Sequence, residues 1–499
     1  WLAERPTGGF TLFRYRNVEN PCQIRQLTDT LQRAAHAAGQ PPLLIAADQE
    51  GGQLNALGPA MTPFPGNMAL GATRDAELAY RVGLATGREC AALGVNVNYA
   101  PSGDVNSNPQ NPVIGIRSFG ESAVLVAEMA NAMAQGLQAA GVASAIKHFP
   151  GHGDTVSDSH EGVPVVTHDE ARLWEVELRP FQTAIQSGIK MVMTAHVGIP
   201  ALNGGLPLPS TLSPAILQGL LRQRLGFQGV IISDAMDMGA IKQGAGLTAD
   251  ILAAVQAGND MLLMTADPAA QEAAYQALQH GDLDEQALAQ SIKRVLALKA
   301  WVATQEQPDL SVIGCYEHRQ LAQEVANRSV TLVRDEAGLL PLRLPVDGRI
   351  ALIIPQFQNL TPADTSASEK MTLGNALRRY HPNVDEYVIP QRPDESIIAT
   401  FRDRAERYDL VIVGTIEAVR QPEQADLVNV LLGTANPKRL RAVPIITIAL
   451  RTPYDLSAYP HAQTHACTYS IQEPAMQALA AALWGQIPFK GKLPVSSEG

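Results

Sequence analysis

Cysteine is scarce. Cys22, Cys90, Cys315 and Cys467 are scattered through 499 residues with no CxxC pair, which rules out a disulfide scaffold and leaves free thiols as the default. No run of 18 apolar residues appears, so no membrane-spanning helix is visible. Lysine and arginine form no basic stripe and the net charge is −11, which argues against a nucleic-acid partner. Glycine-rich loops of the Walker or dinucleotide type are missing, and no cofactor is expected. Low-complexity tracts and short-period repeats are also missing. The first residue is Trp1 rather than Met, so a leader or lipid anchor removed upstream stays open. The sequence therefore assigns neither compartment, cytoplasmic or secreted, nor oligomeric state.

What is present is a large apolar fraction, 46%, in a chain too long for one ordinary domain. Short apolar runs at 9–13, 43–48, 95–100, 142–149, 190–197, 229–234 and 260–264 alternate with alanine-rich segments of helical period, such as 23–38, 77–93 and 123–140. Strand–helix alternation predicts a parallel sheet. The seven runs fall one short of the eight strands of a closed (β/α)8 barrel, so one βα unit is expected upstream of Trp1, or replaced. We place the barrel at 1–302 and a linker at 303–345, within which 317–333 reads as a helix leading into an extended piece. A second alternation, with runs at 349–355, 385–390, 408–414, 444–450 and 465–469, predicts an α/β sandwich domain at 346–499.

The densest chemistry is Lys147-His148-Phe149-Pro150-Gly151-His152-Gly153-Asp154-Thr155-Val156-Ser157-Asp158-Ser159-His160. It continues an apolar run into a loop, and loops on rigid scaffolds commonly carry function. Other runs also end in polar residues: Asp48-Gln49-Glu50-Gly51-Gly52, Thr194-Ala195-His196 and Ser233-Asp234-Ala235-Met236-Asp237. In a (β/α)8 barrel such C-terminal strand ends line one active site. Asp234 either caps the next helix, a role that suits Asp237 better, or works at the barrel mouth. Asp158 and His160 are spaced so that a carboxylate can fix an imidazole tautomer and leave the other nitrogen to move a proton. Lys147 and His148 can anchor hydroxyls, but adjacent strand residues alternate, so either the strand twists there or only one faces inward. His148 and His152 have the spacing of helical zinc ligands, but Pro150 and Gly151 between them disfavour a helix. His152, Asp154 and His160 remain possible loop ligands, and no metal is expected.

The long motif, with Asp48–Gly52, Ile114-Gly115-Ile116-Arg117-Ser118-Phe119, Thr194–Val197 and Ile232–Met236, resembles family 3 glycoside hydrolases, specifically the β-N-acetylglucosaminidase branch. The resemblance implies a (β/α)8 barrel followed by an α/β sandwich. It also implies a retaining exo-glycosidase acting on a carbohydrate substrate with terminal β-linked N-acetylglucosamine, from peptidoglycan or chitin fragments. By motif position, Asp234 matches the nucleophile. His160 matches the general acid/base, with Asp158 as its partner. Asp48, Arg117, Lys147 and His148 match sugar-binding positions. After the glycine pair the chain departs from the family's common Gly-Gly-Arg-Val-x-Arg: Gln53 and Ala56 stand where basic residues are usual. A β-N-acetylglucosaminide phosphorylase, a β-glucosidase of the same family, a non-catalytic sugar-binding protein and a metallohydrolase are the alternatives.

Overall fold

The computed structural model describes residues 7–159, 162–242, 246–264, 267–433 and 443–496. The chain forms two compact units. The first comprises Trp1–Glu50, Asn55–Thr62 and Ala76–His318; the second comprises Gly51–Leu54, Pro63–Asp75 and Arg319–Gly499. Among the described residues no helix is long and apolar enough to cross a membrane.

Among the described residues the main sheet of the first unit has seven strands: β1 (Gly9–Leu12), β2 (Leu44–Ala47), β3 (Val97–Asn98), β4 (Ala143–Phe149), β5 (Met191–Thr194), β6 (Val230–Ala235) and β7 (Met261–Leu263). They neighbour one another in sequence order and every pair is parallel, the pattern of a (β/α)8 barrel less one βα unit. The connecting helices include α1 (Pro21–Ala37), α2 (Ala76–Ala92), α3 (Ala123–Ala139), α4 (Arg179–Gln186), α5 (Ala215–Arg224), α6 (Leu247–Ala257), α7 (Pro268–His280) and α8 (Glu285–Ala303). Strands β2 to β5 are buried on both faces, which explains why they read as continuous apolar runs, while the edge strands β1 and β7 are only partly buried. Alternate residues still divide the work. Leu44, Ala46, Ala143, Ala145, Met191, Met193, Val230 and Ile232 share one core with Leu298 and Val302 of α8. Ile45 and Ala47 point into another core with Ile24 and Ala35 of α1.

Glycine sets the closest helix contact. A Cβ on Gly83 of α2 would lie 2.2 Å from the Met133 carbonyl oxygen, and one on Gly136 of α3 would lie 2.1 Å from that of Tyr80. Hydrogen is the only side chain this spacing admits.

In the second unit, α9 (Tyr316–Ser329) leads to β8 (Thr331–Asp335), followed by β9 (Ile350–Pro355), β10 (Val384–Ile389), β11 (Leu410–Thr415), β12 (Ile445–Ala449) and β13 (Thr464–Cys467). The sheet order is β8-β13-β12-β11-β9-β10. Strands β9 to β13 are mutually parallel, while β8 pairs antiparallel with β13 at one edge. Helices cover both faces. Ile350, Leu352 and Ile354 of β9 pack with Leu377, Met476 and Leu479, whereas Ala351 and Ile353 pack with Phe401 and Val428. The stretch read from sequence as a linker thus carries α9 and the edge strand β8.

Two early segments belong to this second unit because their backbones are bonded into it. The Gln53 carbonyl accepts from the backbone N–H and the hydroxyl of Thr365, both at 3.0 Å, and its side-chain amide donates to the Ala363 carbonyl. Gln472 donates to the Gly52 carbonyl, and the Lys492 N–H to that of Ala72. The other departure position, Ala56, is buried in the first unit beside Leu57, Ala60 and Met61.

Gly136→Ala should destabilise the fold by about 1–3 kcal/mol through overpacking. Gly219→Ala in α5, where an added Cβ meets nothing within 4 Å, should stabilise it by about 0.5–1 kcal/mol. Urea unfolding midpoints moving in opposite directions would check the pair; a neutral Gly136→Ala would refute the close helix contact.

Candidate active site

The C-terminal ends of β2, β3, β4, β5 and β6 each deliver polar side chains. After β2, Gln49 is locked: its N–H donates to the Asn98 side chain at 3.0 Å, and Asn98 donates back to its carbonyl at 2.9 Å. The flanking residues Asp48 and Glu50 both bind the ammonium of Lys147. The Nζ–Oδ1 distance is 2.6 Å to Asp48 and the Nζ–Oε1 distance is 2.7 Å to Glu50. Glu50 also takes a fork from Arg117, Nε to Oε2 at 3.0 Å and Nη2 to Oε1 at 2.8 Å. Arg117 comes from the helical turn Gly115–Arg117.

His148 lies in the same cluster as Lys147. The β4–β5 register shifts between Ile146 and Phe149, so the strict alternation expected of neighbouring strand residues does not hold here. The His148 ring sets Nε2 3.4 Å from Arg117 Nη2 and Nδ1 2.7 Å from a carboxylate oxygen of Asp104, beyond the end of β3. Asp104 also accepts from the backbone N–H of His148 and of His152 and from the Ser102 hydroxyl.

Asp234 sits half-buried on β6 and accepts from the N–H of Ala235 at 2.7 Å. His196 Nε2 donates to the Ala235 carbonyl at 2.9 Å. The helix that follows, α6, begins at Leu247 with Gly246 at its N-cap and no side-chain cap, so neither Asp234 nor Asp237 caps it.

The electrostatics follow from burial set against neighbours. Burial alone would raise the Glu50 carboxyl, yet Arg117 and Lys147 lower it from 4.5 to about 2. Lys147, against its own burial, is raised by Asp48 and Glu50. Asp104 is held well below the carboxylate range despite burial, through His148 and His152. Asp234 is lowered as well: burial opposes this, and His148, His196, the Ala235 N–H and Lys147 prevail. A half-buried carboxylate with a lowered pKa at a strand tip is suited to nucleophilic attack.

His152 is neutral at ordinary pH, since burial and the nearby His148 lower it to about 4. Its Nδ1 lies 2.8 Å from the Thr155 hydroxyl and its Nε2 3.0 Å from that of Ser159. The Thr155 hydroxyl gives its one hydrogen to the His152 carbonyl, so it accepts from Nδ1–H. Nε2 therefore accepts from Ser159. Both ring nitrogens are engaged, and among the described residues no cluster of three His, Cys, Asp or Glu side chains forms a metal site. Asp158 is buried on the same loop. His160 lies outside the described residues.

The structure thus brings Asp48, Arg117, Lys147, His148 and Asp234 to one end of the first unit. It adds three residues to which sequence reasoning gave no role. Glu50 was visible, two residues from Asp48 in the same motif. His196 stood at a strand end already singled out. Asp104 lies six residues beyond the end of β3, outside any strand end that the sequence marks.

Glu50→Gln should flatten the acid side of the stability curve. A carboxyl lowered from 4.5 to about 2 contributes stability that is full above the higher value and is lost as pH falls through the lower. Unfolding free energies between pH 5 and 2, as an approximate window, should decline more steeply for the native protein than for the variant. Equal slopes would show that the carboxylate is not held this way.

Residues 1–298 match the family model for the N-terminal domain of glycosyl hydrolase family 3. The chain is 34% identical to a β-hexosaminidase A of Pseudoalteromonas piscicida, over 99% of this chain and 90% of that one. It is 29% identical to a β-N-acetylglucosaminidase/β-glucosidase of Cellulomonas fimi, over 91% and 84%. Among solved structures, a family 3 β-N-acetylglucosaminidase from Paenibacillus sp. str. FPU-7 superposes with a TM-score of 0.92 at 38% identity, over 99% of this chain and 94% of that one. With strand ends, buried charges and overall likeness in agreement, the chain belongs to glycosyl hydrolase family 3, and it is a glycosidase.

Proposed function

We propose that the protein is a retaining exo-β-N-acetylglucosaminidase that removes terminal β-linked N-acetylglucosamine from peptidoglycan or chitin fragments. The observation that carries the reading is Asp234, kept ionised at the tip of β6 beside His148, His196 and Lys147. The named relatives support the choice of sugar.

Asp234 attacks the anomeric carbon as the bond to the leaving oxygen breaks. His160, oriented by Asp158, gives its proton to that oxygen. A water then adds to the anomeric carbon and returns a proton to His160, and the Asp234 carboxylate departs. Here an imidazole takes a role that a second carboxyl fills in most retaining glycosidases. Asp48, Arg117, Lys147 and His148 hold the sugar hydroxyls: two carboxylate-bound cations to donate, one carboxylate to accept, and one imidazole.

Nitrophenyl 2-acetamido-2-deoxy-β-glucoside should be cleaved much faster than nitrophenyl β-glucoside; the reverse order would favour a β-glucosidase. Asp234→Asn should abolish turnover on both. His160→Ala should slow substrates with poor leaving groups by roughly 10²–10⁴-fold and activated aryl glycosides far less. Equal losses would remove His160 from the acid role. A sugar 1-phosphate formed in phosphate buffer would replace hydrolysis with phosphorolysis.

The nucleophile must be deprotonated, and its carboxyl is lowered. The acid limb of kcat/KM due to Asp234 should therefore lie below the ordinary carboxylate range. A limb on the alkaline side that shifts or disappears on His160 substitution belongs to the acid/base group instead.

A further inference from the structure

We infer that Asp104 is a positioning residue that fixes the tautomer of His148, presenting its Nε2 lone pair to the bound sugar. The inference rests on the reading of His148 as a sugar contact and extends it to a residue that touches no substrate.

Every partner of the Asp104 carboxylate is a donor. The backbone N–H of His152 lies 2.8 Å from Oδ1, and that of His148 3.2 Å from Oδ2. The Ser102 hydroxyl donates at 3.0 Å, and His148 Nδ1 lies at 2.7 Å. Asp104 is fully buried, and the donors surrounding it favour its ionised form. An ionised carboxylate only accepts, so the ring nitrogen facing it carries the hydrogen. On the other side, His148 Nε2 faces Nη2 of Arg117, and a guanidinium only donates. A hydrogen on Nε2 would set donor against donor; a lone pair there meets a donor. Both neighbours select the Nδ1–H tautomer. When sugar binds, that lone pair, which Arg117 meets only at 3.4 Å, takes a hydroxyl hydrogen from the sugar instead, whereas the adjacent Lys147 and Arg117 donate. Asp104 thereby gives the site a hydrogen-bond acceptor beside two cationic donors.

Asp104→Asn is nearly isosteric but puts an NH₂ among donors. It should turn the ring to the Nε2–H form and lower kcat/KM by roughly ten- to a hundredfold, the effect of losing a charge-assisted hydrogen bond. The test is a double-mutant cycle with His148→Ala on the full chain, combined with ¹⁵N-histidine NMR. The His148 signals are assigned by their loss in His148→Ala. Native enzyme should show a protonated Nδ1 and a bare Nε2, reversed in Asp104→Asn. In the His148→Ala background, Asp104→Asn should cost almost nothing further. Losses that multiply would mean that Asp104 acts only on the backbone, overturning the inference. A native spectrum with hydrogen on Nε2 would overturn it even if Asp104→Asn does not fold. If His148→Ala keeps full activity, the sugar-contact reading itself fails, which is a separate outcome.

Discussion

Glu50 has almost no contact with water and yet holds two cations. Taking a charge out of water costs several kcal/mol, and in a protein interior the cost is offset only by close, well-directed partners. Arg117 supplies a planar fork and Lys147 a point charge, and Asp48 brings the second negative charge that balances them. Two acids and two bases make a neutral quartet drawn from the end of β2, the end of β4 and the turn at Gly115–Arg117. Those three pieces of chain are far apart in sequence. The pairing ties them at one place, and the rest of the site is arranged around it. His148 meets the same Arg117 nitrogen that binds Glu50, Asp104 secures His148, and Asp234, against its burial, is lowered by His148, His196, the Ala235 N–H and Lys147.

Much of this was legible in the residues. Apolar runs bounded by charge located all seven strands of the first sheet, because a strand buried on both faces has no polar alternation to blur it. The strand ends of β2, β4, β5 and β6 announced the site for the same reason: a charge at the end of such a run has only the barrel mouth to occupy. Asp104 escaped because several residues separate it from β3, so no apolar run points directly at it. Alternation left open whether the strand twists at Lys147 and His148 or only one of them faces inward; the irregular end of β4 gathers both into one cluster. The reach of Gly51–Leu54 and Pro63–Asp75 into the second unit could not be read either. It rests on hydrogen bonds from backbone groups, which any sequence possesses.

The two positions that depart from the family's basic pattern illustrate the same division. Gln53 is engaged through both its carbonyl and its amide with residues around 363–365, a contact that its residue type alone does not predict. Ala56 is part of an apolar core, where an arginine would bring an unpaired charge. Neither position leaves a gap in the charge quartet, which is complete without them.

The His152 ring carries one more implication. With Nδ1–H spent on Thr155 and Nε2 left as an acceptor, position 159 is obliged to supply a hydrogen. Threonine could replace serine there with little loss, while alanine or valine would leave a buried lone pair facing hydrocarbon. The imidazole thus imposes a spelling rule on a neighbour seven places along the chain.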